Sequence, residues 1–433
     1  MKTLYRAAVI VAVLVVVVVG FTGAAQATSQ WSRKYNMSCR TCHSTFPRLN
    51  AYGQRFMRNG YQDPDNEMPD GDEVGKTQLN DATFIDKLGN YMGVRLNVTP
   101  VQYKTNALTD SDGEPVDQLT LGNTNWAQFF VAGSIAKNMS IFIEMEFTDE
   151  KYHYSWYKLG YHNMFGSSLA NLIVGNVPAR DYGAYPNRLR IFGPIKGDVF
   201  NIKSSGGAAV NDESALNSSG SRPALQYYGY QGPFLVWGGV SPGDNGNTSN
   251  LGADMNDKLH TWGGVRLEVT EDMDWPIEGS AISAWYYQGT DTAGEVPEEE
   301  TRFGPYENDY TRTSVEAEVR AGDFEVMAVY LMGKDENWAL DDTDTEVEFS
   351  GISVVGGYVQ ELAAGRALHY GLQYDSVTSD DVPSLETTYV TPSISYFPRE
   401  NVRIGLYGRL DMTDGREEDE LRHDIMLNIR TMF

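Results

Sequence analysis

The only two cysteines of the 433-residue chain, Cys39 and Cys42, stand in "SCRTCHSTFPRLNAYGQRFMRNGY" (Ser38 to Tyr61), and His43 directly follows the second. Two thiols at this spacing could form a disulfide, half of a zinc site, a dithiol redox centre or a covalent haem attachment. A bridge over so short a span closes a very small loop and would constrain a long chain little. Structural zinc needs four ligands, and the chain has no second cysteine pair. A thioredoxin-like centre belongs in a βαβ setting, which the surroundings do not offer. Histidine after the second cysteine completes Cys-x-x-Cys-His, the pattern of c-type haem attachment. In that chemistry the thiols add to the haem vinyl groups as thioethers, and the adjacent imidazole is held against the iron. The expectation is therefore one c-type haem, bound by Cys39 and Cys42, with His43 as its proximal iron ligand.

That chemistry requires export, and the start of the chain is built for it. "MKTLYR" is a short basic opening, "AAVIVAVLVVVVVGF" (Ala7 to Phe21) is an uninterrupted apolar run, and Ala25-Gln26-Ala27 has the small-x-small form. This order predicts a secretory signal peptide over 1–27. The run is shorter than the roughly 18–20 residues of a spanning helix, which argues against a membrane anchor. No later segment is long and apolar enough to span as a helix.

The cysteines sit in a small head, expected over 28–78. "FPRLNAYGQRFMRNGY" reads as one short helix: Pro47 suits its first turn, Leu49, Tyr52 and Phe56 share a face, and Asn59-Gly60 stops it. Gly53 inside it costs about 1 kcal/mol against alanine, which points to close approach of haem or another backbone, or to a simple packing glycine. Between Thr28 and Gln62 lie six basic residues and no acid, and "DPDNEMPDGDE" then supplies six acids. The whole chain carries −25, so a basic head precedes an acidic body. The head arginines, Arg48, Arg55 and Arg58 among them, could meet haem propionates, acids of the body or a partner, or simply water. A head of this size cannot bury a haem alone, so it is expected in or at the mouth of the body.

From about Asn80 the pattern changes to alternation of apolar and polar residues. "YMGVRLNVTPVQY", "SIFIEMEF" and "SVEAEVRAGDFEVMAVYLMG" show it, as do "ALQYYGYQGPFLVWGGV" and "LETTYVTPSISYFPRENVRIGLYGRL". Short connections (Lys137-Asn138, Gly322-Asp323, Arg399-Glu400-Asn401) alternate with longer polar stretches at 104–123, 181–221, 241–256, 291–308 and 335–344. The final "DIMLNIRTMF" puts Ile425, Leu427, Ile429 and the terminal Phe433 on one face. The fold class expected is all-β: an outer-membrane barrel of roughly 16 antiparallel strands over 79–433. The alternatives, a soluble sandwich or propeller, would not need long loops at one end and short turns at the other.

"RKYNMSCRTCHSTFPRLNAYGQRFMRNGY" (Arg33 to Tyr61) resembles the head of the fused monohaem cytochrome–porins, best known as outer-membrane iron oxidases of iron-oxidising bacteria. The resemblance covers the Cys-x-x-Cys-His, Pro-x-Leu-Asn and Asn-Gly-Tyr of the head and the general build of the remainder. It implies haem thioethers at Cys39 and Cys42 and an axial ligand at His43, and it leaves the sixth ligand open. Met57 and Met68 could fill that position, as could His153, His162, His260, His369 or His423 if the head enters the lumen. The function it implies is electron transfer from extracellular Fe(II) to a periplasmic c-type cytochrome, in an outer-membrane lipid setting. One-electron transfer needs no acid, base or nucleophile, in keeping with the absence of a catalytic triad or phosphate loop from the sequence. Anionic loops at Gly294–Glu300, Asp341–Glu346 and Asp414–Glu420 could concentrate Fe(II), and a chain at −25 overall offers nothing to nucleic acid. Two other functions fit the same head and barrel: an outward conduit to an external acceptor, or a diffusion porin plugged by the haem head.

Overall fold

The computed structural model describes residues 29–64, 77–80, 83–85, 87–136, 138–147, 152–186, 197–202, 221–242, 258–293, 306–339, 341, 343 and 345–433. The signal segment, Met68 and the 294–300 loop lie outside the described residues. Sixteen antiparallel strands, from Met92–Thr109 to Asp424–Met432, run in chain order around a closed barrel. The last strand pairs with the first, and Phe433 and Val94 exchange backbone hydrogen bonds of 2.6 and 2.8 Å at the seam. Closure leaves no unpaired edge.

Alternation along each strand decides which side chain meets which medium. In Phe324–Asp335, Glu325, Met327, Val329 and Leu331 are buried inside, while Phe324, Val326, Tyr330 and Met332 are exposed outside. The outward residues align across strands: Val236 lies opposite Val265, then Ala284, Val315, Tyr330 and Ile352 follow in register. So continuous an apolar band is a lipid-facing surface. Next to the two-residue Gly322-Asp323 turn, Phe324, Tyr358 and Tyr370 form a row of rings with centroids 4.6 and 6.4 Å apart. Gly322 has φ 58, the left-handed geometry such a hairpin requires.

Long and short connections fall at opposite ends, with one correction. The polar stretch 104–123 is not a loop: Met92–Thr109 and Pro115–Ala136 pair almost to their tips, and only 110–114 turns. Beyond the lipid band both faces of a strand meet water, so polarity there does not mark a loop. At the long-loop end the connection after Asn171–Pro178 folds inward. Ala179 O accepts from the Trp237 and Trp285 indoles (2.9 and 3.1 Å), and Arg180 pairs with Glu316 at 2.5 Å. Further along, Asp198 pairs with Arg409 (2.5 Å), and its backbone N donates to Asp375 (3.2 Å), so the segment reaches another side of the wall.

At the short-turn end the head enters the barrel. It consists of α1 (Gln30–Tyr35), α2 (Cys39–Cys42), a two-stranded hairpin (His43–Thr45 with Arg48–Leu49) and α3 (Ala51–Arg58). The expected single helix from Pro47 is therefore shorter. Phe46–Pro47 is a cis peptide in the hairpin turn. α3 begins after Asn50, whose side chain accepts from Gly53 N at 2.9 Å. An Asn cap meets an otherwise unpaired helical N–H, so the start is set there.

Candidate functional site

α2 is a single turn started by Ser38, whose Oγ accepts from Arg40 N at 3.1 Å. Glu400, in a short barrel turn, accepts from Ser38 Oγ (2.6 Å) and Cys39 N (2.9 Å), fixing the turn to the barrel rim. Asn50 N donates to Cys42 O at 2.9 Å, and the Asn50 amide donates to Arg40 O and Thr41 O. α3 thus lies directly against the backbone of α2. This explains Gly53: a Cβ there would stand 2.1 Å from Cys42 O. The close neighbour is another backbone.

Cys39 and Cys42 are free thiols, half-buried. Burial, reinforced by Glu400, pushes Cys39 up to about 11, and burial with the neighbouring Cys39 takes Cys42 to about 12. His43 Nδ1 lies 3.2 Å from Arg48 O, and a carbonyl only accepts, so Nδ1 carries the proton and Nε2 keeps its lone pair. A backbone carbonyl on the second ring nitrogen is the usual way a metal-binding imidazole is held in one tautomer. Burial lowers His43 to about 4, so the ring is neutral at ordinary pH.

Cys42 and His43 open onto a cavity of about 340 Å³ between the head and the barrel wall. A smaller space of about 40 Å³, lined by both cysteines and His43, adjoins the same residues. The head wall is aromatic: Trp31 stacks on Tyr61 (4.7 Å) and meets Phe56 edge-on (5.7 Å), and Tyr61 meets barrel residue Phe142 at 5.6 Å. On the barrel side stand Phe130, Trp156, Arg95 and Arg430. The margin mixes charges, Arg95 and Arg430 with Glu144 and Glu146, and Arg95 pairs with Glu144 at 3.2 Å. The two thiols, the neutral imidazole with one nitrogen available and the flat aromatic walls suit a covalently held haem. The residues fit the group.

The expected site residues separate into three sets. Cys39, Cys42, His43 and Met57 come together at these cavities. The basic residues of the head meet barrel acids: Arg48 pairs with Glu318 and with Glu325 (3.5 Å), Arg55 with Glu271 (3.2 Å), and Arg58 with Glu268 (2.7 Å). Gln54 and Leu49 O add contacts to Glu318 and Arg320, completing a buried network. None of the described histidine side chains other than His43 lines the large cavity. His162 is buried nearby, its Nε2 accepting from Ser140 (2.6 Å) and its Nδ1 donating to Tyr228 (2.6 Å), whose hydroxyl donates to Arg58 O. His260 stands with Tyr287 at the long-loop end, His369 lies beside Arg403, and His423 accepts from Asp411 N. The His153 side chain is outside the described residues. Met432, in the last strand, lines both cavities, and Met37 lines the smaller. Of the three anionic loops, Asp341 caps Thr343, Glu346 pairs with Lys334 (2.9 Å), and 417–420 is exposed.

No family model matches the chain, and no curated protein matches it. Among solved structures it is similar to an anion-selective porin from Comamonas acidovorans, at 10% identity and TM-score 0.53, over 79% of this chain and 99% of that one. It is also similar to Salmonella typhi OmpF in complex with daunomycin, at 14% identity and TM-score 0.51, over 83% and 100%. The class is a porin-like outer-membrane barrel fold of sixteen strands.

Proposed function

We propose that this chain is an outer-membrane electron-transfer protein that oxidises extracellular Fe(II) and passes the electrons to a periplasmic c-type cytochrome. The observation behind it is the convergence of Cys39, Cys42 and a tautomerically fixed His43 on a cavity that head and barrel complete together. Bound there, a c-type haem would supply one-electron oxidation and reduction. Cys39 and Cys42 would hold it through their sulfurs and His43 through its imidazole, Trp31, Phe56, Tyr61 and Phe142 would exclude water, and Met57 or Met432, which line the cavity, could serve as a further iron ligand. The short-turn end, where the head sits, corresponds to the periplasmic side of such barrels, and the anionic loops to the outside. A solute crossing the barrel would have to pass both the head and the inward segment, which contact inward wall residues at the two ends.

The likeness to porins favours the other reading, a diffusion pore whose head acts as a plug. The two separate experimentally. Protein made in a host able to mature c-type cytochromes keeps haem stain after denaturing electrophoresis, and Cys39→Ala with Cys42→Ala loses it. Anaerobic Fe(II) then produces the sharpened visible bands of the reduced form. Colourless protein, together with rapid swelling of liposomes containing it, establishes the pore instead. Haem that dithionite reduces and Fe(II) does not would remove iron as donor.

A further inference from the structure

The inward face of the wall is not uniformly polar. Met327, Val329, Leu331, Phe349, Val355 and Val377 stand on inward positions of three neighbouring strands, each at 4% exposure or less. Register sets them side by side: Met327 lies opposite Val355, and Leu331 opposite Gly351. The lumen of a barrel that carries water is polar. Here Tyr185, Val199 and Phe200, from the connection after Asn171–Pro178, pack with these side chains as one apolar cluster. The same connection enters a second cluster, where Ala179 and Tyr182 pack with Tyr228, Leu235, Trp237 and Trp285. Between them the two clusters draw inward residues from Ile173 round to Met426 of the last strand. Inward polar side chains serve the connection itself: Ala184 N donates to Ser283 (2.9 Å), Tyr185 N donates to Glu316 (2.9 Å), and Asp198 accepts from Thr387 (2.8 Å). A buried backbone needs such partners. Contact is close as well. A Cβ on Gly351 would stand 2.6 Å from Val199 Cγ1, and one on Gly197 would stand 2.8 Å from Ser353 Oγ. That is the packing of a protein interior, not of a passage.

We infer that the lumen between the head and the long loops is a dry protein core, so that the barrel admits neither ions nor small solutes even where the head is loosened. The described parts of the connection, 179–185 and 197–202, belong to that core as wall and not as gate, because withdrawing them would expose both apolar clusters to water. The inference goes beyond the haem reading and does not depend on it. Its consequence for that reading is spatial: a hydrated cation stops at the outer face of the core, and only its electron goes further.

The test reads the medium on the inward side of the wall. Purified full chain is taken through a urea series, and gel mobility scores closed against opened barrel. Leu331→Asn keeps the branching of the side chain and makes its end polar. In a dry core it should lower the folding equilibrium constant about tenfold or more, because the new amide is buried short of partners. Leu331→Asp should close only at a far lower urea midpoint or not at all, and the Asn variant carries the comparison if it does not close. Water at that position would leave both variants at the wild-type midpoint. In planar bilayers bathed in concentrated salt, the wild type should give no conductance steps. A wild-type midpoint in Leu331→Asn, or stepwise conductance by the wild-type chain, overturns the inference. Either result leaves haem staining, and with it the haem reading, untouched. A colourless wild type that meets both expectations overturns the haem reading and leaves this inference standing.

Discussion

Glu318→Gln tests how the head is held. Glu318 is wholly buried on the inward face of Tyr306–Ala321 and accepts from Arg48 of the head and from Arg266 and Arg320 (3.2 Å) of the wall. The substitution keeps the shape and removes the one charge that three buried guanidiniums share. Breaking a buried pair by neutralising one partner costs about 3–5 kcal/mol. The lower end applies, because each arginine keeps a second acid: Arg48 has Glu325 at 3.5 Å, Arg320 has Glu325 at 2.7 Å, and Arg266 has Glu268 at 2.9 Å. About 3 kcal/mol corresponds to somewhat over a hundredfold in the head's docking equilibrium, at 1.4 kcal/mol per tenfold. Arg48→Met should cost less, since Glu318 then retains Arg266 and Arg320, and the double variant should cost less than the sum of the singles. Amide hydrogen exchange over 43–58 in detergent-solubilised protein measures this, with barrel closure checked by gel mobility. Protection in Glu318→Gln within about threefold of wild type, or a larger loss in Arg48→Met, would refute the network as the head's fastening.

Gly53→Ala forces α3 away from Cys42 O and should destabilise the head by about 1–3 kcal/mol, the usual range for overpacking; falling haem occupancy per chain reports it, and full occupancy with unchanged thermal stability contradicts it. His162 is held down to about 4, chiefly by burial and then by Lys158, against about 6.5 unfolded. The unfolded state therefore binds more protons between those values, and stability falls as pH drops from about 6.5 toward 4, by about 2 kcal/mol at pH 5. Denaturant midpoints at pH 7.5 and 5 should show this in wild type and lose most of it in His162→Gln. A fragment ending near Val74 should hold haem less stably than the full chain, since Phe130, Phe142 and Trp156 of the cavity belong to the barrel; equal stability would mean the barrel does not complete the site.

Period-two alternation was legible in the residues themselves, and Cys-x-x-Cys-His suggested the haem reading within five positions. Val265 and Val315 announce their lipid face by alternating with inward Arg266, Ser314 and Glu316, and the barrel closes with the expected number of strands. Gly53 left close approach and simple packing both open, and only folding showed a backbone neighbour, Cys42 O. The helix start was misplaced because Asn50 outcompetes Pro47 as a beginning once residues 43–49 pair as a hairpin. The stretch 104–123 was misread because water on both faces gives a strand the composition of a loop. Arg430 and Met432 carried no signal as cavity residues, since one strand residue of a barrel reads like any other. Their place at the cavity comes from the register of the last two strands and from a head, more than 340 positions earlier in the chain, docked against them. Such pairings are fixed by closure of the sheet and by burial of charge between distant segments, which is why tertiary structure alone decided where the cavity lies and what surrounds it.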